Sequence, residues 1–278
     1  MLVGVSTSED IWDSRQLRFE PVKIGSISEL ANLAAARAIS LATFAKCQGC
    51  IINEKSIDHG ENYRHSKHFQ QCQLVGLDVD DGMSIAEADS VLESIGVQYA
   101  ILTSKSHGKW KNQGKSNESP PCDRFRILIP CESPTSDRLT VTHNLRLFGK
   151  KINIDRNCVD PARFFKPSPG IVKIKSVGFL YQWQQPNKEQ YERRARAHVE
   201  SLRSYGRAGI VPQFVKQLLS SGAPEGGRNS ACYSIGKALG TAGFSLDRII
   251  GLVSSSPLGA LGRSEVESAV RNGFNNRA

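Results

Sequence analysis

One segment constrains this chain more than any other: Leu74-Val-Gly-Leu-Asp78-Val-Asp80-Asp81-Gly82, an apolar run that ends in acids. The run Leu74–Val79 reads as a buried strand, and Asp81-Gly82 as the turn that follows it. Side chains two apart on a strand point the same way, so Asp78 and Asp80 share a face. Two carboxylates that close repel one another unless one is protonated or a cation bridges them. Hard oxygen donors suit Mg²⁺ or Mn²⁺, above all where substrate phosphates complete the shell. The plainer reading is a strand that simply ends in an acidic turn.

The neighbouring segments make residues 1–183 a mixed α/β (α+β) domain. Leu2–Val5, Tyr99–Thr103 and Arg124–Ile129 are further strands by their apolar, β-rich content. Ser26-Ile-Ser-Glu29 and Ser84-Ile-Ala-Glu87 have the form of capping boxes, the first opening a helical stretch to about Phe44 and the second a further helix. The second helix places Ile85, Ala88, Leu92 and Ile95 on one face and ends at Gly96. Ser133-Pro134 is expected to start a helix running to about Lys150, with Val141, Leu145 and Phe148 inward. Ile171–Ile174 and Val177–Trp183 are expected to form a hairpin. The polar stretch His107–Pro121 reads as a mobile loop.

After residue 183 the pattern changes. Residues 184–208 are polar and charged and read as a helical linker. Residues 209–278 form a small all-α domain of four helices: Val211–Ser220, Asn229–Ala242, Leu246–Ser254 and Glu265–Phe274. Asn229, Ser245 and Ser264 are the candidate N-caps.

Composition narrows the function. Of 278 residues, 39% are apolar and 23% charged, enough for a packed core and too ordered a balance for global disorder. No apolar run approaches the roughly eighteen residues that cross a bilayer, and MLVGVSTSED is not a secretory leader, so a cytoplasmic protein with no membrane partner is expected. Seven cysteines, an odd and uneven set, suit reduced thiols. The formal charge of +9 suits a polyanionic partner, because phosphates attract clustered cations and release condensed counterions.

Three more segments carry chemistry. Thr103-Ser104-Lys105-Ser106-His107 gathers hydroxyls, a lysine and a histidine at a strand end, a usual place for α/β active sites. In Arg124-Phe-Arg126-Ile-Leu-Ile-Pro130 the two arginines alternate with apolar residues and are expected to leave one face of a strand, where guanidinium forks can hold phosphate oxygens. Asp155-Arg-Asn-Cys-Val-Asp160-Pro-Ala-Arg163-Phe-Phe-Lys166 adds two acids and more cations.

In order and spacing these segments resemble the archaeo-eukaryotic primase superfamily, the catalytic cores of phage and plasmid primase-polymerases. Residues 1–183 carry the resemblance, with a departure at the second motif, which reads Ser104-Lys105-Ser106-His107 rather than Ser-x-His. Residues 209–276, with Pro224-Glu-Gly-Gly-Arg228-Asn229, resemble the helical primase C-terminal domain. The resemblance implies a primase-like core with an RRM-like sheet. It also implies two-metal nucleotidyl transfer making and extending primers on single-stranded DNA, with Mg²⁺ or Mn²⁺ on Asp78, Asp80 and Asp155, and Asp160 as the alternative third ligand. His107, a catalytic-set residue, would hold nucleoside triphosphate with Ser104, Lys105, Ser106, Arg124, Arg126, Arg163 and Lys166. Arg64, Lys109, Lys111, Arg228 and Asn229 would contact DNA. A replicative helicase would act in trans or belong to a missing C-terminal region.

Other readings stay open at this point. A replication initiator that binds origin DNA could use the same basic surface, and clustered aspartates also suit a metal-dependent nuclease. Cys47-Gln-Gly-Cys50 has the spacing of a zinc pair, with His59, His65, His68 and Cys72 following, but no second Cys-x-x-Cys supports it. Gly108 to Ser116 has one residue too many between its glycines for a phosphate-binding P-loop.

Overall fold

The computed structural model describes residues 3–8, 18–47, 50–52, 55–57, 62–80, 82–111, 113, 118–154, 159–168, 170–223 and 227–277, without the side chains of 50–52 and 55–57. Asp155, Asp81, His59 and Pro224-Glu-Gly lie outside the described residues.

The chain divides into two compact units, the first formed by Met1–Lys111 with Ser119–Pro186 and the second containing Asn187–Ala278. The first unit opens with β1 (Val3–Ser8), β2 (Glu20–Ile24), α1 (Ile27–Ala36), β3 (Ala38–Ser40), β4 (Ala42–Phe44), β5 (Cys50–Ile52) and β6 (Lys55–Ile57). It continues through β7 (Phe69–Val79), α2 (Ile85–Ile95), β8 (Tyr99–Thr103), β9 (Phe125–Thr135), α3 (Arg138–Phe148), β10 (Phe164–Phe165) and β11 (Gly170–Lys175). Five strands pair in the order β11-β8-β9-β7-β4 and four in the order β10-β3-β1-β2, while β5 and β6 form a two-stranded sheet among the described residues. Every pairing of these named strands is antiparallel.

Strand β7 is buried from Cys72 to Val79, as its apolar run dictates, and β9 lies against it with Asp78 opposite Arg126. The two larger sheets share one core, in which Val3, Val5, Leu41, Leu77, Ile127 and Phe165 are all buried. Gly76 decides how close they come. A Cβ there would stand 2.4 Å from Leu41 Cδ2 and 2.8 Å from Phe165 Cε2. Gly76 and Asp78 point to the same face, so the ring seated over Gly76 brings the ends of β10 toward Asp78.

The helix starts follow the caps. Ser84 and Glu87 form a reciprocal capping box, and Gly96 closes α2 in the left-handed region at φ 80°. Ser26 accepts the Glu29 N–H, but the Glu29 carboxylate reaches Gly25 N rather than the cap's own amide. Several expectations fail. The helix opened at Ser26 ends at Ala36 and not near Phe44, because Arg37 takes an extended conformation (φ −129°, ψ 161°) and the chain continues as β3 and β4. Ser133-Pro134 does not open a helix, because β9 continues to Thr135 and Asp137 caps α3 by accepting the Leu139 N–H at 2.9 Å. Residues 177–183 do not pair with β11 as a hairpin. Gly178, at φ 134°, turns the chain so that Phe179 exchanges hydrogen bonds with Gly96 and Gln98, and Tyr181 with Pro130 and Glu132. Finally, one disulfide-bonded cysteine, Cys47, departs from the all-thiol reading.

The second unit holds α4 (Lys188–Arg207), α5 (Gln213–Ser221), α6 (Arg228–Thr241), α7 (Leu246–Ser254) and α8 (Arg263–Asn275). Helix α4 is polar nearly all round, with only Leu202 buried. Helices α6 and α8 meet through glycines: a Cβ on Gly236 would lie 2.3 Å from the Val270 carbonyl oxygen, and one on Gly273 only 2.0 Å from that of Tyr233. Asn229 and Ser264 sit inside their helices, with Gly227 and Gly262 at the cap positions, so neither is an N-cap. Ser245 holds its cap position without a side-chain hydrogen bond. No helix of the described residues is long and apolar enough to cross a membrane.

Candidate functional site

At the C-terminal end of β7 a cleft of about 580 Å³ gathers most of the residues singled out in the sequence. Asp78 and Asp80 line it from β7, Ser104, Lys105 and Ser106 from the turn after β8, Arg126 from β9, and Arg163 and Lys166 from the two ends of β10. Lys111 joins them from the loop beyond Ser106. Five cations thus face two carboxylates in one cleft. By contrast, a cleft of about 580 Å³ in the helical unit sets Asp247 and Glu267 beside Arg263 and Arg271, so its charges cancel.

The carboxylates are held differently. Asp78 is buried at 7% exposure, with Arg126 Nε 3.5 Å from one oxygen and Arg163 Nη2 3.3 Å from the other. Arg126 is itself fixed: one Nη1 donates to Ser168 Oγ at 2.9 Å and to the Lys166 carbonyl, and its plane lies over the Phe165 ring. Burial pulls the Arg126 guanidinium below its ordinary value, and the facing Asp78 carboxylate pulls it back. The backbone of Arg163 is anchored as firmly, since its carbonyl accepts from Ser40 Oγ at 2.9 Å and Leu41 N at 3.3 Å. Its Nε is buried with no hydrogen-bond acceptor, a donor left over on the rim of an anion-seeking cleft. Asp80 is more open and meets Lys111 Nζ at 2.6 Å.

Other sequence-selected residues stand elsewhere. Arg124 is fully buried, so it does not leave the strand face beside Arg126 and cannot reach a phosphate in the cleft. Its guanidinium donates to the carbonyls of Asp80 (3.1 Å), Ser106 (2.9 Å), Lys109 (2.6 Å) and Pro120 (2.8 Å) and to Ser119 Oγ (2.9 Å). Those bonds, with the paired Lys111–Ser119 backbone bridge, tie down the described ends, around Ser106–Lys111 and Ser119–Pro120, of the stretch that composition marks as mobile. The alternation of Arg124 and Arg126 misleads because β9 begins only at Phe125.

His107 supports the same loop: its Nδ1 accepts the Arg124 N–H at 3.2 Å and lies 3.9 Å from Asp123. Asp160 accepts the Ala162 N–H at 2.9 Å and shapes the turn before Arg163. Arg64 lies over the Phe164 ring and donates to the Ala162 carbonyl at 2.9 Å; burial lowers its pKa, Asp160 raises it and Arg163 lowers it. Lys109 is exposed, and Arg228 and Asn229 belong to the first turn of α6. Ser168, which no motif marks, is buried and orients Arg126.

The donors fit a hard divalent ion: two carboxylates of one strand end, two residues apart, open on a shared cleft. Among the described residues no group of three or more His, Cys, Asp and Glu could hold a metal, and Asp155 is not among them. At Cys47 the disulfide removes a thiolate that zinc would need, and Cys72 is a fully buried thiol bonded to the Leu41 and Leu74 carbonyls.

No family model and no curated protein matches the chain. Among solved structures, the AEP domain (PP-N190) of the primase-polymerase of cyanophage S-2L is similar at a TM-score of 0.34 and 11% identity, over 65% of this chain and 84% of that one.

Proposed function

We propose that the chain is a primase-polymerase-type nucleotidyltransferase, joining nucleotides on a single-stranded DNA template. The observation that carries this reading is the cleft itself, in which Lys105, Lys111, Arg126, Arg163 and Lys166 surround Asp78 and Asp80. An excess of fixed cations around two acids fits a ligand that brings both negative charge and a divalent ion, as a nucleoside triphosphate does. The motif order supports it, and so does the excess of basic residues along the chain. The RRM-like core and the primase-type helical domain belong to the same reading, as do a cytoplasmic location and a helicase partner.

Asp78 and Asp80 would hold Mg²⁺ or Mn²⁺, with Asp155 as their third partner. When bound, such ions lower the pKa of an attacking 3′-hydroxyl and offset charge on the departing pyrophosphate. Arg163 and Lys166 would hold the triphosphate from one wall, and Lys105 with the Ser104 and Ser106 hydroxyls from the other. Arg126 would keep Asp78 oriented, since it faces that carboxylate and is itself immobilised. In-line phosphoryl transfer depends chiefly on such positioning and electrostatics.

The test is incorporation of labelled nucleotide on a single-stranded template in Mn²⁺, for the native chain and for Asp78→Asn and Asp80→Asn. Loss of a metal-binding carboxylate forfeits several kcal/mol of transition-state stabilisation, so incorporation should fall on the order of 10³-fold with the fold retained by circular dichroism. Incorporation that survives both substitutions overturns the proposal. So does a native chain that shifts origin DNA but adds no nucleotide, or one that degrades DNA without nucleotides.

A further inference from the structure

The two carboxylates have partners of unlike kind. Arg126, beside Asp78, is nearly buried and bonded to Ser168 Oγ and the Lys166 carbonyl, so its charge stays in place. Lys111, beside Asp80, has a side chain 37% exposed, and the Asp80 side chain is 32% exposed. Nothing but the 2.6 Å ion pair holds its ammonium among the described contacts, and an ammonium on a four-carbon stem moves easily.

The backbone that carries Lys111 does not share that freedom. Its N–H and carbonyl exchange hydrogen bonds with Ser119, both at 2.9 Å. Arg124 holds the Lys109 carbonyl at 2.6 Å while its Nε holds the carbonyl of Asp80 itself at 3.1 Å. One buried guanidinium therefore fixes both ends of the pair, the main chain beneath Asp80 and the loop under Lys111. Only the lysine stem is left to swing, and the cleft it would swing across is the one lined by Lys105, Arg163 and Lys166.

We propose that Lys111 is a transferable cation, neutralising Asp80 while no divalent ion is bound and passing to the triphosphate when one is. The inference rests on the nucleotidyltransferase reading and adds to it a residue and an order of events. A divalent ion must displace Lys111 from Asp80, so the lysine weakens metal binding in the absence of nucleotide. Once displaced, the same charge strengthens nucleotide binding. A lysine with a purely structural role would move both affinities in one direction.

Two binding measurements, neither of them an activity, test this on the full chain. Free Mn²⁺ is titrated by electron paramagnetic resonance without nucleotide, and a non-hydrolysable triphosphate analogue is titrated by calorimetry in saturating Mn²⁺. Lys111→Met, which keeps the stem, should bind Mn²⁺ roughly threefold more tightly, the size of a partly exposed ion pair. It should bind the analogue about fivefold more weakly. Lys111→Arg, which keeps the charge, should stay close to native in the Mn²⁺ titration. If Lys111→Met binds Mn²⁺ no better than the native chain, or holds the analogue equally well, the transfer is refuted while the nucleotidyltransferase reading stands. If the native chain binds neither Mn²⁺ nor the analogue, that reading fails and takes the inference with it.

Discussion

Arg124→Ala is the substitution with the most to lose. The native guanidinium is fully buried and makes five hydrogen bonds, four of them to main-chain carbonyls. Hydrogen bonds to a charged group are each worth about 1.5–3 kcal/mol, but these five share one donor group and cannot be summed. The Ser106, Lys109, Ser119 and Pro120 acceptors sit on a surface loop and can turn to water once released, which caps the loss. The remainder, chiefly the cavity and the stranded Asp80 carbonyl, sets a cost of about 3 kcal/mol. In a unit of this size that lowers Tm by roughly 6–12 °C. Arg124→Lys keeps the charge but not the fork, and should recover less than half of the loss. Hydrogen exchange gives the more specific readout: the Lys111 and Ser119 amides, bonded to each other's carbonyls, should lose protection while β7 amides keep theirs. A variant that melts within a degree of native with those two amides still protected would show that the loop is held by something other than Arg124.

The other expectations are smaller in scope. Gly273→Ala should destabilise the helical unit by about 1–3 kcal/mol, because its Cβ would lie 2.0 Å from the Tyr233 carbonyl oxygen. Gly251→Ala, inside α7 with open space beyond, should stabilise it by about 0.5–1 kcal/mol, so chemical denaturation of the two variants should give opposite signs. Lys175 and Lys173, with the Tyr99 hydroxyl, hold the Glu93 carboxyl down to about 2 from 4.5. A depressed carboxyl stabilises the fold above its ordinary range and loses that contribution as pH falls toward the folded value. The Tm difference between native chain and Glu93→Gln should therefore be largest near neutrality and shrink between about pH 5 and pH 2; a difference that grows on acidification would contradict the geometry.

Local chemistry made much of the first unit legible. The Ser84 box, Gly96 and the apolar run into Asp78 each act over a few residues, and the elements they mark lie where that chemistry puts them. Asp78 and Asp80 line one cleft, as their spacing suggests, although β7 itself ends at Val79. Arg124 was misread because alternation says which way a side chain points only once the strand has begun, and β9 starts one residue later. The Ser133-Pro134 helix start failed because proline is as acceptable near a strand's end as at a helix's first turn. Lys111 was marked only as a DNA contact; its meeting with Asp80 depends on a fold-back closed at Ser119 and tied by Arg124, a contact set by tertiary structure. Ser168 was invisible for the same reason.

Gly76 carries a last implication. Because the missing side chain there is filled by Leu41 and Phe165, the spacing between the acidic wall and the basic wall is set by the shape of β7 two residues before its first acid. The width available to a phosphate chain is then governed from beneath, by the floor under Phe165, and not by the cations that would touch the ligand. Anyone wishing to remodel what enters this opening would do better to work on that floor, at Leu41 and Phe165, than to exchange one positive residue for another along its edge.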